Sequence, residues 1–352
     1  MSTMTAAVIY GREDVRVEQI PIPAVGPSEV RVRIGAALTC GTDVKVFRRG
    51  YHARMITPPS VFGHEFAGVI ESVGGQVTHW LPGQRVVAAN SAPCDACYYC
   101  RRGLWELCED LLFLNGAYAE LITLPTRIVE RNLYHIPSHL NFAEAALSEP
   151  LACVVRGMDA LTIHPGDTVA VIGLGPIGLM FIRLCVLAGA RVLAVGRREE
   201  RKELARALGA EHVFDIDAEP DILQAVRAQT EGDRGPDIVI EAVGRPEAWE
   251  QAIALARKAG TVSLFGGCPA GTRVSLDTHR VHYEELTLVG TFHHTPATFR
   301  RALQLIADGH MMADRFIQQS AELHALPGIL VGLASGENSA VKTAILPPQA
   351  AK

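Results

Sequence analysis

A glycine-rich turn constrains the fold of this chain more than any other feature of the sequence. Its residues are Gly173, Leu174, Gly175, Pro176, Ile177 and Gly178. The turn follows an apolar run typical of a buried strand and opens a segment with helical periodicity. In such a unit the first glycine permits a tight turn, the second lets a pyrophosphate approach the backbone, and the third lets the helix pack on the strand. The helix N-terminus also offers unpaired N–H groups to phosphates. The turn therefore predicts a dinucleotide site; a tight turn without a ligand is the alternative.

The region around this turn alternates between apolar runs and helical segments. The predicted strands are Thr168–Ile172, Arg191–Val195, His212–Phe214, Asp237–Glu241, Thr261–Phe265 and Leu286–Val289. The predicted helices between them are Pro176–Ala188, Glu199–Leu208, Asp221–Gln229 and Glu247–Ala256. Strands that alternate mainly with helices imply an α/β fold with a doubly wound parallel sheet, both faces of which are covered.

The first 150 residues instead indicate a β-rich region. Short apolar runs separated by Gly, Pro and Asn occur at Ala6–Tyr10, Val30–Ile34, Phe66–Val73 and Arg85–Ala88. Strands at this spacing favour a barrel or sandwich. After about residue 295 the sequence predicts a helix at Pro296–Asp308 and a strand at Val341–Leu346. That strand is too isolated to form a domain, so we expect it to join the first region.

Composition excludes several classes of protein. The 352 residues are 48% hydrophobic and carry a net charge of −5 without any basic block, which argues against disorder and against nucleic-acid or anionic-membrane partners. The longest uncharged candidate for a membrane span, between Asp167 and Arg183, has 15 residues and is interrupted by glycines. The N-terminal segment lacks the pattern of a secretion signal. We therefore expect a cytoplasmic protein.

Four of the eight cysteines form a cluster within fifteen residues, namely Cys94, Cys97, Cys100 and Cys108. Four thiolates in a short loop match a tetrahedral zinc site, and an iron–sulfur cluster is the alternative. Because the protein fills all four positions, this zinc is expected to be structural. Clustered cysteines in a long chain also favour a reducing compartment over a disulfide scaffold.

The residues after the second predicted strand of the α/β region bear on which dinucleotide binds. An acidic residue at this place would bond the adenosine ribose and repel a 2′-phosphate. The sequence has Arg197 and Arg198 there instead, and the guanidinium fork suits a phosphate. This favours NADP over NAD. Alternatively, the two arginines are a solvated helix start paired with Glu199 or Glu200.

Three further segments are weak signals when they are taken singly. They are Cys40-Gly41-Thr42-Asp43, Gly63-His64-Glu65 and Glu149-Pro150-Leu151-Ala152. A lone Cys is more often a buried thiol, and Glu149 could simply end a helix that begins at the Asn141/Glu144 capping pair. Together with the cysteine loop and the glycine turn, however, they occur in an order that resembles the zinc-dependent medium-chain alcohol dehydrogenases. Within that superfamily the chain looks most similar to the polyol (sorbitol-type) and threonine dehydrogenase branches.

The resemblance implies a two-domain architecture. A GroES-like β-barrel catalytic domain would comprise residues 1–150 and 296–352, and a Rossmann dinucleotide-binding domain would comprise residues 151–295, with the active site in the cleft. It implies two zinc ions per chain and NADP or NAD as cofactor. It also suggests a homo-oligomer, either a dimer or a tetramer.

The resemblance further implies a catalytic zinc held by Cys40, His64 and Glu149. Glu65 would be a nearby fourth or exchangeable ligand. This set leaves a position for water or a substrate oxygen, as a catalytic zinc requires. A glutamate as third ligand is the pattern of the polyol branch, whereas other branches use cysteine.

The resemblance assigns the proton-handling residues near this zinc. Thr42 would bond the substrate oxygen, although an ordinary turn hydroxyl is the alternative, and Asp43 would orient His64. Relatives often carry His where this chain has Lys45, so contact with solvent or cofactor is favoured for Lys45 over proton relay. Gly266 and Phe292 are further candidates for cofactor contact, with core packing as the alternative for Phe292.

The expected reaction is the NAD(P)-linked oxidation of a secondary alcohol to a ketone. By resemblance the alcohol belongs to a polyol, sugar, cyclitol or amino alcohol. The cationic loop at residues 48–54 suits a polyhydroxylated or anionic substrate, and a solvated loop is the alternative. The alternative functions are a zinc-independent quinone or enone reductase of the same superfamily and a non-catalytic cofactor-binding protein.

Overall fold

The computed structural model describes residues 2–52 and 54–348. Three parts of the chain lie outside the described residues. They are Met1, Ala53 of the cationic loop, and the end of the expected catalytic domain after residue 348. The chain divides into two compact units. The first contains the chain up to Ala152, His294–Gly309 and the chain from Ala313 onward, and the second contains Cys153–His293 and His310–Met312. Among the described residues, no helix has the length and apolar character needed to cross a membrane.

The described strands and helices are numbered here in chain order. The strands are β1 (Thr3–Gly11), β2 (Asp14–Pro21), β3 (Val30–Leu38), β4 (Ser60–Val61), β5 (Phe66–Val73), β6 (Arg85–Ala88), β7 (Ser91–Ala92), β8 (Leu112–Phe113), β9 (Leu121–Leu124), β10 (Leu133–His135), β11 (Thr168–Ile172), β12 (Arg191–Gly196), β13 (His212–Asp215), β14 (Ile238–Glu241), β15 (Thr261–Leu264), β16 (Thr287–Gly290), β17 (Ile317–Glu322) and β18 (Lys342–Leu346). The helices are α1 (Gly41–Arg49), α2 (Thr126–Arg131), α3 (Phe142–Ala146), α4 (Ser148–Asp159), α5 (Pro176–Leu187), α6 (Glu199–Ala207), α7 (Ile222–Arg227), α8 (Pro246–Leu255), α9 (Thr278–Tyr283), α10 (Pro296–Ala307) and α11 (Leu326–Ser335). Short 3-10 turns occur at Cys100–Arg102, Trp105–Leu107, Glu231–Asp233, Ala313–Arg315 and Leu323–Ala325.

The first unit is built on a seven-stranded sheet in the order β10-β6-β5-β3-β18-β17, with β9 also paired to β3. A second sheet has the order β2-β1-β4. In β3 the side chains of Val30, Val32 and Ile34 are buried, which is the period-two pattern of a strand with one face on a core. The strand predicted near the chain end does join this unit, because β18 pairs antiparallel with β3.

The pairing of β18 with β3 places the end of the chain beside the start of α1. Thr39, which follows β3, donates its backbone N–H to the Thr343 carbonyl at 3.1 Å, and Thr343 N–H returns a bond to Thr39 Oγ1 at 3.0 Å. Leu38 N–H bonds the Glu65 carbonyl at 2.9 Å. Three distant segments are therefore fixed around the residues that open α1.

The second unit contains a six-stranded parallel sheet in the order β13-β12-β11-β14-β15-β16. The strand and helix series predicted from the sequence is confirmed, with ends that differ by at most two residues. The strand order reverses between β11 and β14, which is where open α/β sheets bind ligands beyond the carboxyl ends of their strands. The glycine turn follows β11 and leads into α5 at this point.

Some elements have no clear signal in the sequence. Helix α9 has no buried residue, and β17 is mostly exposed, so neither shows an apolar period. The interpretation that Glu149 ends the helix begun at Asn141 is wrong. Asn141 and Glu144 do form the capping box of α3, but Glu149 lies in the first turn of the separate helix α4.

Two glycines of the turn have different surroundings. A Cβ on Gly178 would lie 1.8 Å from the carbonyl oxygen of Gly173, whereas a Cβ on Gly175 would meet nothing within 4 Å. The φ of Gly175 is −74°, which alanine adopts readily. Gly178 therefore allows helix α5 to pack against the turn, while Gly175 leaves open space beside it.

We predict opposite effects for alanine at these positions. Gly178→Ala is expected to lower the free energy of unfolding by about 1–3 kcal/mol or more, because the new methyl group overlaps backbone. Gly175→Ala is expected to leave stability within about 0.5 kcal/mol of wild type yet weaken dinucleotide binding. Denaturant unfolding and cofactor titration measure both effects. Equal loss of stability in the two variants would contradict this assignment.

Candidate active site

The beginning of α1 fixes the positions of Cys40 and Asp43 relative to each other. Cys40 is the N-cap residue and has an extended backbone. Its N–H donates to Asp43 Oδ2 at 2.9 Å, and its sulfur accepts a bond from Thr42 N–H at 3.4 Å. This is a capping box in which a thiol replaces the usual hydroxyl. The helix start thus orients a thiol and a carboxylate together.

The same carboxylate faces the imidazole of His64. Asp43 Oδ1 lies 3.3 Å from His64 Nδ1, and both side chains are buried. Oδ1 accepts no hydrogen bond from the described residues, so it has capacity for an Nδ1–H group. That tautomer leaves His64 Nε2 as the lone-pair nitrogen, which is the arrangement of a metal-binding histidine oriented by a carboxylate.

Negative groups surround His64. Burial lowers the pKa of His64, but the charges of Asp43 and Cys40 outweigh burial and raise it well above 6.5. The imidazole of the metal-free chain therefore holds a proton that a metal ion must displace. Burial raises the pKa of Glu149 to about 7, and the charge of His64 opposes this rise. A half-buried thiol beside a buried imidazole and buried carboxylates fits a divalent cation.

The structure brings three of the four expected catalytic-zinc ligands together. Ligand atoms of Cys40, His64 and Glu65 lie within 4.8 Å of one another. Glu149 is not part of this trio, and its Oε1 lies 3.7 Å from Nε2 of the buried His294. The same His294 nitrogen lies 2.9 Å from Asn90 Oδ1. Sequence reasoning missed His294, because a histidine pair before a helix gives no signal of which ring is buried.

Glu65 has a partner that sequence reasoning also missed. Lys342 Nζ donates to Glu65 Oε1 at 2.5 Å and also contacts Oε2, and both side chains are fully buried. Burial lowers the pKa of Lys342, but the charge of Glu65 outweighs it, so the net shift is upward and the amine is cationic. The two residues are 277 positions apart, and a lysine within the apolar β18 was the available signal.

The four-cysteine cluster has the geometry of a tetrahedral metal site. All four sulfurs lie within 4.8 Å of one another, with Cys94–Cys100 and Cys97–Cys108 separations of 4.0 and 3.9 Å. Four zinc–sulfur bonds of roughly 2.3 Å would require sulfurs about 3.8 Å apart. Backbone N–H groups of Cys100 and Glu109 lower the pKa of Cys97 to about 6, which favours its thiolate. These residues fit the expected structural zinc.

The residues expected at the cofactor lie at the carboxyl edge of the parallel sheet. Gly173 has a φ of +105°, and a Cβ on it would lie 2.7 Å from Val243 Cγ2. A Cβ on Gly266 would lie 2.3 Å from the nitrogen of Gly244. The buried carboxylate of Glu241 accepts bonds from Val243 N–H at 2.7 Å and Gly244 N–H at 2.8 Å, which fixes this loop.

Other expected cofactor residues lie near this edge in sequence. Pro176 and Ile177 form the first turn of α5, after the N-cap Gly175. Phe292, two residues after β16, is 45% exposed, so it is not packed in a core among the described residues. An exposed aromatic side chain remains available to a ligand.

The arginines after β12 have defined surroundings. Arg197 Nε pairs with Asp217 at 3.1 Å, and both side chains are exposed. Arg198 is the N-cap residue of α6 and has a φ of +68°. Glu199, one of the alternative partners expected from the sequence, bonds Lys202 at 2.6 Å.

Arg201 adds a third guanidinium that the sequence reading missed. Burial lowers its pKa, and the neighbouring charge of Arg198 lowers it further. Its Nε is buried and has no hydrogen-bond partner among residues 2–52 and 54–348. A desolvated cation beside a second cation is stabilised by a bound anion. The position of Arg201 one helical turn after Arg198 is the sequence signal that could have indicated it.

The remaining expected site residues lie on α1. Thr42 is half-buried in the first turn, and Lys45 is exposed. An exposed Lys45 agrees with the preference for solvent or cofactor contact over proton relay.

Comparisons with known proteins identify the family. Residues 26–137 match the alcohol dehydrogenase GroES-like domain, and residues 176–308 match the zinc-binding dehydrogenase family. Sorbitol dehydrogenase of Bacillus subtilis is 30% identical over 89% of this chain and 90% of its own length. L-threonine 3-dehydrogenase of the same organism is 35% identical over 82% of this chain and 83% of its own. A Sinorhizobium meliloti structure named as a zinc-binding dehydrogenase bound to NADP has 32% identity and a TM-score of 0.90, and the match covers 99% of this chain and 100% of that one.

The chain therefore belongs to the zinc-dependent medium-chain alcohol dehydrogenase superfamily, in its polyol and threonine dehydrogenase branch. It is a zinc-type, NAD(P)-linked dehydrogenase that acts on an alcohol. The fold class expected from the sequence is confirmed.

The Lys342–Glu65 pair generates a stability prediction. Lys342→Met is expected to lower the free energy of unfolding by about 3–5 kcal/mol, because it leaves the buried carboxylate of Glu65 uncompensated. The double variant with Glu65→Gln is expected to recover most of that loss, since neither charge of the pair then remains. Denaturant unfolding of both variants measures this coupling. A double variant as unstable as the single one would contradict the pairing.

Proposed function

We propose that this zinc-dependent medium-chain dehydrogenase oxidises a secondary alcohol on a polyol, sugar, cyclitol or amino alcohol to a ketone. The catalytic zinc would be held by Cys40, His64 and Glu149, with Glu65 as an exchangeable ligand. The observation that carries this proposal is the group formed by the half-buried Cys40 and the buried Asp43 and His64. The Asp43 carboxylate faces the His64 imidazole and accepts a hydrogen bond from the Cys40 N–H.

The mechanism follows from the roles of these side chains. Zinc, when bound, supplies a Lewis acid that makes an alcohol hydroxyl more acidic, and the nicotinamide supplies a hydride acceptor. Thr42 Oγ1, half-buried two residues after Cys40, would accept a hydrogen bond from the substrate hydroxyl and release its own proton towards solvent as the substrate proton arrives, so that Thr42 stays neutral. Asp43 would keep the proton of His64 on Nδ1 and thereby leave Nε2 as a ligand. Glu149 would join the site as the third ligand, since its carboxylate is already influenced by the charges of His64 and Lys342.

The substrate class rests on the relatives and on local charge. Sorbitol and L-threonine, named in the relatives, are a polyol and an amino alcohol, and each carries a secondary hydroxyl group. Arg48 and Arg49 end α1, and Arg54 follows within the same cationic loop. Cationic groups near the site favour a polyhydroxylated or anionic substrate.

The cofactor is proposed to be NADP in preference to NAD. Arg197, Arg198 and Arg201 concentrate positive charge after β12, where the adenosine ribose binds in this type of fold. The solved relative bound to NADP is 32% identical over almost the whole chain, which supports the same choice here.

Assembly and compartment are also part of the proposal. Strand β16 is an edge of the parallel sheet, and an unpaired edge supports association with a second copy in a dimer or tetramer. None of the eight cysteines, all of which lie among the described residues, forms a disulfide. Reduced and metal-binding thiols support a location in the reducing cytoplasm.

Metal counting together with one variant tests the catalytic site. The wild-type chain is expected to contain two zinc ions and to oxidise members of a panel of polyols, cyclitols and amino alcohols. Glu149→Ala is expected to lower kcat/KM by more than about 100-fold while the zinc at Cys94–Cys108 stays bound. The exposed Glu250→Ala is the matched control and is expected to behave like wild type. Full activity of Glu149→Ala with a single zinc per chain would contradict the proposed ligand set.

A second variant tests the choice of cofactor. Arg197→Ala is expected to raise the KM for NADP about tenfold or more and to leave the KM for NAD unchanged, because a charge-assisted bond to phosphate is lost. Arg206→Ala, also exposed but near the other end of helix α6, is the control. Steady-state kinetics with both cofactors measures the effect. A wild-type preference for NAD would contradict the assignment.

A further inference from the structure

Tyr118 is a buried residue that the mechanism above does not use. Its hydroxyl donates to Asp43 Oδ2 at 2.6 Å and lies 3.0 Å from the Leu38 carbonyl oxygen. A tyrosine hydroxyl has one proton, and the shorter contact with a charged oxygen takes it. Asp43 Oδ2 therefore has two donors, the Tyr118 hydroxyl and the Cys40 N–H.

The backbone and ring of Tyr118 are fixed on several sides. Its N–H bonds the Phe62 carbonyl at 2.9 Å, and its carbonyl accepts from Ala7 N–H at 2.8 Å. The ring packs edge-on against Phe62, with centroids 5.1 Å apart. The hydroxyl thus projects from a rigid position.

The loop that carries His64 is shaped around this ring. Gly63 has a φ of +90°, and a Cβ on it would lie 2.6 Å from Tyr118 Cδ2. Glycine is therefore required there for both backbone and space. The ring contacts the residue before His64, while the hydroxyl contacts the carboxylate that faces His64.

We propose that Tyr118 is a positioning residue for the catalytic metal site, acting through Asp43 on both Cys40 and His64. This rests on the proposed function for the assignment of the two ligands. The hydroxyl and the Cys40 N–H together hold Oδ2, so that Oδ1 is directed at His64 Nδ1. The terminal torsion of an aspartate is soft, so loss of one donor lets the carboxylate rotate away from the imidazole.

The consequence is a weaker metal site without a change in the ligands themselves. Partners that orient a metal-binding histidine typically contribute about 10–100-fold to metal affinity. We expect a contribution of about the same order from Tyr118. The cysteine cluster at Cys94–Cys108 contains none of these groups and provides an internal reference in the same molecule.

The test is zinc release from the purified wild-type protein and from Tyr118→Phe. Zinc transfer to a chelator is followed over time, and the slowly released cysteine-cluster zinc is counted separately. Tyr118→Phe keeps the ring against Gly63 and removes only the hydroxyl. We expect about 10–100-fold weaker zinc binding at the catalytic site, unchanged binding at the cysteine cluster, and activity that returns with added zinc.

Tyr134→Phe is the matched control. The Tyr134 hydroxyl is half-buried, lies 3.0 Å from both Asn132 Oδ1 and the Pro296 carbonyl oxygen, and donates to one of these acceptors and not to Asp43. The Tyr134→Phe variant is expected to lose about as much folding stability as Tyr118→Phe but to keep the zinc affinity of wild type. Zinc affinity of Tyr118→Phe within twofold of wild type, with stability like that of Tyr134→Phe, would reduce Tyr118 to a structural role and overturn the proposal.

A double-mutant cycle with Asp43→Asn separates the route of action. If Tyr118 acts through Asp43, removing its hydroxyl has little further effect on zinc affinity in the Asp43→Asn background. Additive effects of the two changes would overturn the inference. A wild-type chain that binds zinc only at the cysteine cluster would instead contradict the proposed function, a result that the wild-type zinc count reveals separately.

Discussion

The buried carboxylate of Asp43 connects the parts of the active site. A carboxylate removed from water requires donors, because burying an uncompensated charge is strongly unfavourable. Here the donors come from the start of α1, from the loop before β9, and from the loop before β5. A single charge therefore fixes segments that are far apart in sequence, and it does so next to the thiol and the imidazole.

The C-terminal strand β18 and the N-terminal strand β3 of the first unit both contribute to this arrangement. Strand β18 pairs with β3, and the bonds between Thr343 and Thr39 hold the segment before Cys40. The next residue towards the N-terminus, Lys342, neutralises Glu65 within the same buried region. The Lys342 ammonium thus balances the charge of Glu65 alone. The other thiol and carboxylate groups around His64 remain as ligands for a metal ion.

The sequence predicted the second unit well because central strands such as β11 are continuous apolar runs and because helices α5 and α8 begin at proline. Elements with exposed surfaces, such as β17 and α9, lack that periodicity and were missed. Motifs located Cys40, His64 and the cysteine cluster. Tyr118, Lys342 and Arg201 could not be found this way, because their roles depend on burial and on contacts that sequence spacing does not encode.

The central claim is that a second metal ion binds where Asp43 orients His64. Anomalous diffraction at the zinc edge, on crystals of the purified protein with bound cofactor, tests it most directly. We predict two peaks, one among the four cysteine sulfurs and one at about 2.0–2.3 Å from Cys40 Sγ, His64 Nε2 and a glutamate oxygen. A single peak at the cysteine cluster, or a second ion bonded through His64 Nδ1, would contradict it.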